Sequence, residues 1–364
     1  MSRLNVSNLF NENEDGAPVV SGISTFSSPN YFVPPSGSTA QRPSSPGEGM
    51  IRFNTDSGHL EYYTGTHWAD VIVKESASIG GRGVVSGGNY NPGGGTVRSD
   101  AMDYITIQST GNAIDFGNLS VGRDVTTGCA SRTRGIIAGG YSGSELQSID
   151  YIEIATLGNA LDFGDLSATR RNRDGCGDST RGIMGGGWSP TATIDVLTFA
   201  STGSATTDGL LSSARYEVGA LSSSTRGVFA GGQPSGDDTI EYVTIQSLGT
   251  AQDFGNLTAG SLNCTGTSSP VRGIFVRNGE TSVYNYITIA STGDALDFGD
   301  ATIASNYRSV TSDSTRATTA GGAPSTTNTI EFITIATTGN AQDFGDLVIA
   351  RASCAAFSNS HGGL

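Results

Sequence analysis

The sequence predicts an all-β protein: a six-bladed β-propeller with a small extended and β-hairpin module at its N-terminal end. Three observations predict it. One unit recurs six times, opening with Arg-Gly at Arg82, Arg134, Arg181, Arg226 and Arg272 and with Arg316-Ala317 as a degraded sixth copy, at intervals of 52, 47, 45, 46 and 44 residues. Each copy holds four short β-type patterns, the number in one propeller blade. Glycine is 52 of 364 residues and no window keeps apolar residues at i, i+3, i+4 and i+7, which excludes a helical solenoid. A β-helix would need a period nearer 20–30 residues, roughly one coil.

The four strands, A to D, follow in order within a copy. Strand A is small and polar, as in Asp174-Gly175-Cys176-Gly177-Asp178-Ser179, and suits the crowded centre of a ring. Strand B, Arg134 to Gly140, is β-branched and ends on a glycine pair. Strand C, Ile149 to Ala155, has apolar residues on both faces and suits a sheet packed between two others. Thr156-Leu157-Gly158-Asn159 turns the chain into strand D, Ala160 to Gly164. Asp-Phe-Gly marks strand D at 115–117, 162–164, 253–255, 297–299 and 343–345, and Thr207-Asp208-Gly209-Leu210 fills the missing place. The surplus strand 351–358 faces the strand that begins at Arg82, so the ring is expected to close there.

Residues 1–70 differ in composition. They divide into an extended arm and Pro/Ser/Gly linker over 1–41 and a β-hairpin module over 42–70, with the propeller expected over 71–364. Ile51–Asn54 and Leu60–Tyr63 flank an Asp-Ser-Gly turn. Two strands cannot hold a core, so this module is expected to pack on the propeller or on copies of itself, for instance as a homo-trimer.

The net charge of −14 argues against a nucleic-acid partner, and no apolar run is long enough for membrane insertion. The start of the chain has no apolar signal core. Cys129, Cys176, Cys264 and Cys354 fall in A-type strands of different copies and read as unpaired buried thiols. His59, His67 and His361 have no metal-ligand spacing, and no nucleophile motif or phosphate loop occurs. The expectation is therefore no enzyme, no catalytic residue, no cofactor and no metal. The recurrent Asp115, Asp162, Asp253, Asp297 and Asp343 read as structural rather than as calcium ligands. The arginine before each glycine is expected to bond a carboxylate or carbonyl of the next blade.

Contact residues are sought where length varies. The B–C loops vary, and in an antiparallel blade they share a face with the D–A connections, which carry Arg123, Arg170, Arg171, Arg173, Arg215, Arg308 and Arg351. Tyr90, Tyr141 and Trp188 with Arg123, Arg170 and Arg215 are the candidate binding residues, for stacking on sugars or gripping a protein.

Two resemblances bear on function. The glycine pair after strand B and the aromatic strand D followed by arginine resemble the kelch family, over residues 82–364, with phenylalanine where kelch strands usually carry tryptophan. Residues 42–70, with Arg42-Pro43, Gly49-Met50-Ile51-Arg52-Phe53-Asn54-Thr55 and Leu60-Glu61-Tyr62-Tyr63 before Trp68, resemble a short module of tail-fibre and other virion proteins of tailed bacteriophages. The repeat also looks like virion proteins of phages that infect cyanobacteria. These resemblances imply a structural virion protein of tail-fibre type, made in the host cytoplasm. Residues 1–70 would join it to other virion proteins, and the propeller would face a host-surface glycan or protein. The competing readings are a capsid decoration protein and a kelch-like carbohydrate-binding protein or enzyme outside a virion.

Overall fold

We describe the fold from a computed structural model, which covers residues 34–71, 81–234, 236–278 and 283–364. The chain forms two compact units, Met1–Ala77 and Ser78–Leu364. Residues 1–33 of the arm and linker expected over 1–41 lie outside the described residues.

The smaller unit contains more than the expected hairpin. Strands Ile51–Asn54, His59–Tyr63 and Trp68–Val71 form an antiparallel meander, and Ser36–Gly37 adds a parallel edge. The linker boundary at residue 41 is thereby corrected. Gln41 caps a short 3-10 turn at Thr39–Gln41 through the Ser38 backbone N–H, and the Thr39 N–H bonds Asp56, so residues 36–37 join the sheet and the turn after them is tied to it. The buried side is polar: Glu61 is fully buried and bonds Arg42, Arg52 (3.1 Å) and Asn54 (3.1 Å).

The larger unit is all-β, as expected. It holds six four-stranded antiparallel sheets, each built from one copy of the repeat. Their A-to-D strands are 127–130, 134–138, 148–153 and 161–165 in the second sheet; 174–177, 181–185, 191–198 and 206–215 in the third; 219–222, 226–230, 239–244 and 252–256 in the fourth; 263–268, 272–278, 283–288 and 296–300 in the fifth; and 309–312, 316–320, 329–334 and 342–346 in the sixth. The first sheet takes its A strand from the far end of the sequence: Ala355–Ser358 pairs with Arg82–Ser86, followed by Ala101–Thr106 and Ile114–Asn118. That strand is shorter than the expected 351–358, because Ser353 takes φ +59° and turns the chain before it. The A strands neighbour one another in cyclic order, 355–358 lying beside both 127–130 and 309–312.

Three recurring contacts join each sheet to the next. The glycine of Asp-Phe-Gly has φ near +140° because the following sheet's C–D turn sits against it; a Cβ on Gly117 would lie 2.4 Å from the Gly158 carbonyl. That turn donates to the outer strand, as Gly158 N to Phe116 O (2.9 Å) and Gly111 N to Phe344 O (2.8 Å), so strand D is not left as an open edge. Gly209 takes the same conformation in the copy that lacks the motif. The arginine before strand B donates to a carbonyl of the next sheet, as Arg82 to Ile154 O (2.7 Å) and Arg272 to Ile335 O (2.8 Å), which is the carbonyl option expected from sequence. Its guanidinium also lies over the strand-C aromatic, 4.5 Å from the Tyr104 centroid in the first sheet.

The third contact corrects the sequence reading. Arg123 and Arg215, expected to face a ligand, are buried, as are Arg173, Arg308 and Arg351. Each reaches from the end of one sheet into strand C of the next: Arg123–Asp150 (2.8 Å), Arg173–Asp195 (2.8 Å), Arg215–Glu241, Arg308–Glu331 (2.7 Å) and Arg351–Asp103 (3.0 Å). At the remaining junction the carboxylate is replaced by Asn285, whose carbonyl accepts from Thr258 N (3.1 Å) and Oγ1 (2.9 Å). The D–A connection there carries no arginine, so connection arginine and strand-C acid are lost together, as expected when a lone buried charge costs far more than a neutral pair, and the half-buried Arg277 of strand B reaches Thr258 Oγ1 (3.2 Å) and Gly260 O (3.4 Å) instead. That joint loss was the sequence signal for a buried pair, and it was missed.

The recurrent aspartates of strand D are exposed, beside the buried phenylalanines. All four cysteines are free; Cys129, Cys176 and Cys264 are buried and Cys354 half-buried.

Candidate functional site

The candidate site is the face where B–C loops meet D–A connections. The residue after each strand-B glycine pair is tied to the preceding connection by backbone hydrogen bonds: Asn89 N to Ala352 O (2.8 Å), Tyr141 N to Asp124 O (2.9 Å), Trp188 N to Arg171 O (2.8 Å), Gln233 N to Tyr216 O (2.8 Å) and Ala323 N to Asn306 O (2.9 Å). Just inside lies a second belt. Val125, Asn172, Glu217, Tyr307 and Ser353 all have φ between +48° and +59°. Asn172 N bonds Val125 O (3.1 Å), Glu217 N bonds Asn172 O (2.7 Å), Ser353 N bonds Tyr307 O (3.0 Å) and Val125 N bonds Ser353 O (2.9 Å). Left-handed backbone at non-glycine residues costs free energy, and these bonds between neighbouring repeats hold it in place. The backbone repeats around the face while the side chains differ at every position.

Those side chains are not evenly distributed. Arg98 lies 4.5 Å from the Tyr141 ring centroid, and Arg171 lies 4.8 Å from Tyr141 and 5.0 Å from Trp188. Trp188 meets Tyr216 edge to face at 4.7 Å. Guanidinium and aromatic groups thus alternate from the first copy into the third. Beside them is a groove of about 380 Å³, lined by Asn89, Arg98, Tyr141, Arg171, Trp188 and Tyr307 among others. The small Ala323 and Ala352 also line it.

Of the candidate residues, Tyr141 and Trp188 come together in the groove. Tyr90 pairs with Val97 in a separate two-stranded ribbon and does not line it. Arg170 is half-buried, packed against Gly187, and also does not line it. Arg123 and Arg215 are committed to their buried carboxylates, because neither guanidinium reaches solvent. Arg98 and Arg171 take the place assigned to them.

The groove leads to an axial cavity of about 90 Å³ between the inner strands, with Val125, Asn172, Tyr307 and Ser353 lining both. A second, smaller cavity of about 40 Å³ between the inner strands is lined by His361. His361 Nε2 donates to Ala130 O (2.8 Å), and Nδ1 accepts from Gly363 N (3.1 Å). Burial pushes the His361 pKa down, consistent with a neutral ring. Gly362 and Gly363 pass so close to Ser269 and Gly177 that a Cβ would lie 2.2 and 1.9 Å from their carbonyl oxygens.

Asp174 lines the larger, 90 Å³ cavity. Its carboxylate accepts from Ala220 N (2.9 Å) and Gly175 N (2.9 Å), joining the inner strands of two sheets. Burial pushes its pKa up to about 7. The folded protein therefore holds this proton more tightly than the unfolded chain does. Asp174 costs nothing below the unfolded value of about 4, and stability is lost as pH rises from there towards 7. Asp174→Asn is expected to remove that slope. Its stability relative to the parent should gain on the order of 1–3 kcal/mol between pH 4 and 8, measured by urea unfolding. Parallel pH profiles for the two proteins would contradict it.

No group of three His, Cys, Asp or Glu side chains placed to hold a metal occurs among the described residues. No family model matches the chain, and no curated protein matches it either.

Proposed function

We propose that this chain is a non-enzymatic display and contact protein: a six-bladed, kelch-like β-propeller carried on a small β module. It is a tail-fibre or tail-associated component of a tailed-phage virion. Residues 1–70 attach it to other virion proteins, and the groove face meets a host-surface glycan or protein. The observation that carries the contact reading is the face itself: a hydrogen-bonded backbone repeated from copy to copy, with side chains that change at each position and gather two aromatics and two arginines beside a groove. Rigid aromatic and arginine side chains supply most of the energy in such contacts. The cyclic order of the sheets and the pairing of 355–358 with 82–86 support the propeller. The virion assignment rests on the resemblance of residues 42–70 and of the repeat.

The test is adsorption. Truncating a buried aromatic anchor costs on the order of 1–3 kcal/mol of binding, about 5- to 160-fold. Particles carrying Tyr141→Ala with Trp188→Ala should lose at least tenfold in adsorption to host cells, with an unchanged melting curve of the purified protein. Tyr90→Ala, outside the groove, should adsorb normally. Unchanged adsorption by the double variant would remove the groove from host contact.

A further inference from the structure

We infer that the groove accepts a carboxylate-bearing sugar, whose carboxylate pairs with Arg171 in competition with Glu145. This deepens the contact reading above and rests on it.

Arg171 is the pre-organised group. Its guanidinium is held between Tyr141 and Trp188, so little of its rotamer freedom is left to lose on binding. Its carboxylate partner is loose: the Glu145 approach is Oε1 at 3.5 Å from Nε, a buried atom with no hydrogen-bond acceptor, so the terminal nitrogens are the donors left for a ligand. Both side chains are about a quarter exposed, at 26% and 28%. A surface pair of this kind contributes little to stability and exchanges readily with a competing carboxylate. A guanidinium presents two parallel N–H donors, which match the two oxygens of one carboxylate.

The neighbouring arginine is committed differently. Arg98 bonds Asp124 (3.3 Å), whose side chain is largely buried and also accepts from Asn89 Nδ2 (2.8 Å). Arg98 therefore braces Tyr141, and Arg171 is the exchangeable cation. Trp188, 40% exposed, gives a sugar ring an apolar surface, and the groove volume falls within the range of small-ligand sites. Asn89, Tyr307 and Ser353, which also line the groove, supply polar atoms for hydroxyl groups.

Charge sets the direction of the test. Arg98 and Arg171 are balanced by Asp124 and Glu145, so the groove is locally neutral in a protein of net charge −14. At physiological ionic strength the remote charges are screened beyond about 8 Å, and Glu145 is the nearby charge an entering carboxylate must compete with. Removing that charge should strengthen binding of an acidic sugar.

The experiment titrates the full-length protein with trigalacturonate and with neutral maltotriose by calorimetry. Trigalacturonate should bind more tightly than maltotriose. Glu145→Gln should tighten trigalacturonate at least threefold and leave maltotriose unchanged. Arg171→Lys, which keeps the charge and loses the planar fork, should weaken trigalacturonate at least tenfold, with parent-like melting curves for both variants. Equal affinity for the two sugars, no gain in Glu145→Gln, or preferential binding of glucose 6-phosphate would overturn the carboxylate assignment. So would failure of both sugars to bind. Loss of adsorption in the Tyr141/Trp188 double variant would then still uphold the contact face, whereas normal adsorption would remove both readings.

Discussion

Ending the chain at Ser353 is expected to abolish cooperative folding of the larger unit. Ala355–Ser358 is the inner strand of the first sheet and lies beside the inner strands of the second and sixth. Without it, Arg82–Ser86 presents an open edge and two neighbouring strands lose a packing partner. Phe357 carries much of this contact: it is 4% exposed, and its ring occupies the space over Gly135, where a Cβ would lie 2.0 Å from Cε2. Phe357→Ala alone should cost on the order of 3–5 kcal/mol. Domains of ordinary stability have about 5–15 kcal/mol in total, so loss of the whole strand should give an aggregating protein without a sharp transition. Thermal and urea unfolding measure both. A shortened protein with the parent's melting temperature would show that the first sheet does not depend on this strand.

Arg123→Met is expected to cost on the order of 3–5 kcal/mol, because it leaves Asp150 charged inside the protein. The pair is essentially inaccessible on both sides, and Ser120 alone, through N (2.9 Å) and Oγ (2.8 Å), would remain to solvate the carboxylate. Combining Arg123→Met with Asp150→Asn should recover most of the loss. The protein already contains the neutral version, with Thr258 on Asn285, at its one junction without a charged pair. A double-mutant cycle read by urea unfolding gives the coupling. A double variant as unstable as the single one, or a harmless Arg123→Met, would mean that Arg123 acts only through the carbonyls of Gly139 and Ser148 that it also bonds.

Much of the fold was legible because its signals are local. The Arg-Gly and Asp-Phe-Gly intervals, the glycine pair that stops strand B and the alternation in strand C lie within a few residues of the features they specify. The surplus A-type strand near the end was visible by counting. Less was legible at residues 36–41, where a linker-like composition conceals a strand and a capped turn held by Asp56, 17 residues away from Thr39 in sequence. The candidate site was legible as a face through its variable loops. Tyr141 and Trp188 directly follow their glycine pairs and meet in the groove, whereas Tyr90 stands one residue further on, after Asn89, and that offset in the repeat was the sequence sign that it lies elsewhere.

What the sequence by itself determined is therefore the all-β class, the repeat, the strands and the side of each sheet on which variable side chains collect. What only the tertiary structure decided is which arginines face the groove. Arg171 and Arg173 are two residues apart, yet Arg171 stacks between two aromatics at the groove and Arg173 is buried against Asp195. Between them Asn172 takes φ +54° and turns the chain. Nothing in the neighbouring residues requires that conformation; it is fixed by the bond from Asn172 N to Val125 O and the bond its carbonyl accepts from Glu217 N, one from each adjoining repeat. Arginine carries a long apolar stem and a permanent charge, so it suits either a buried carboxylate or an exposed stack, and its environment is set by contacts between repeats about 45 residues apart.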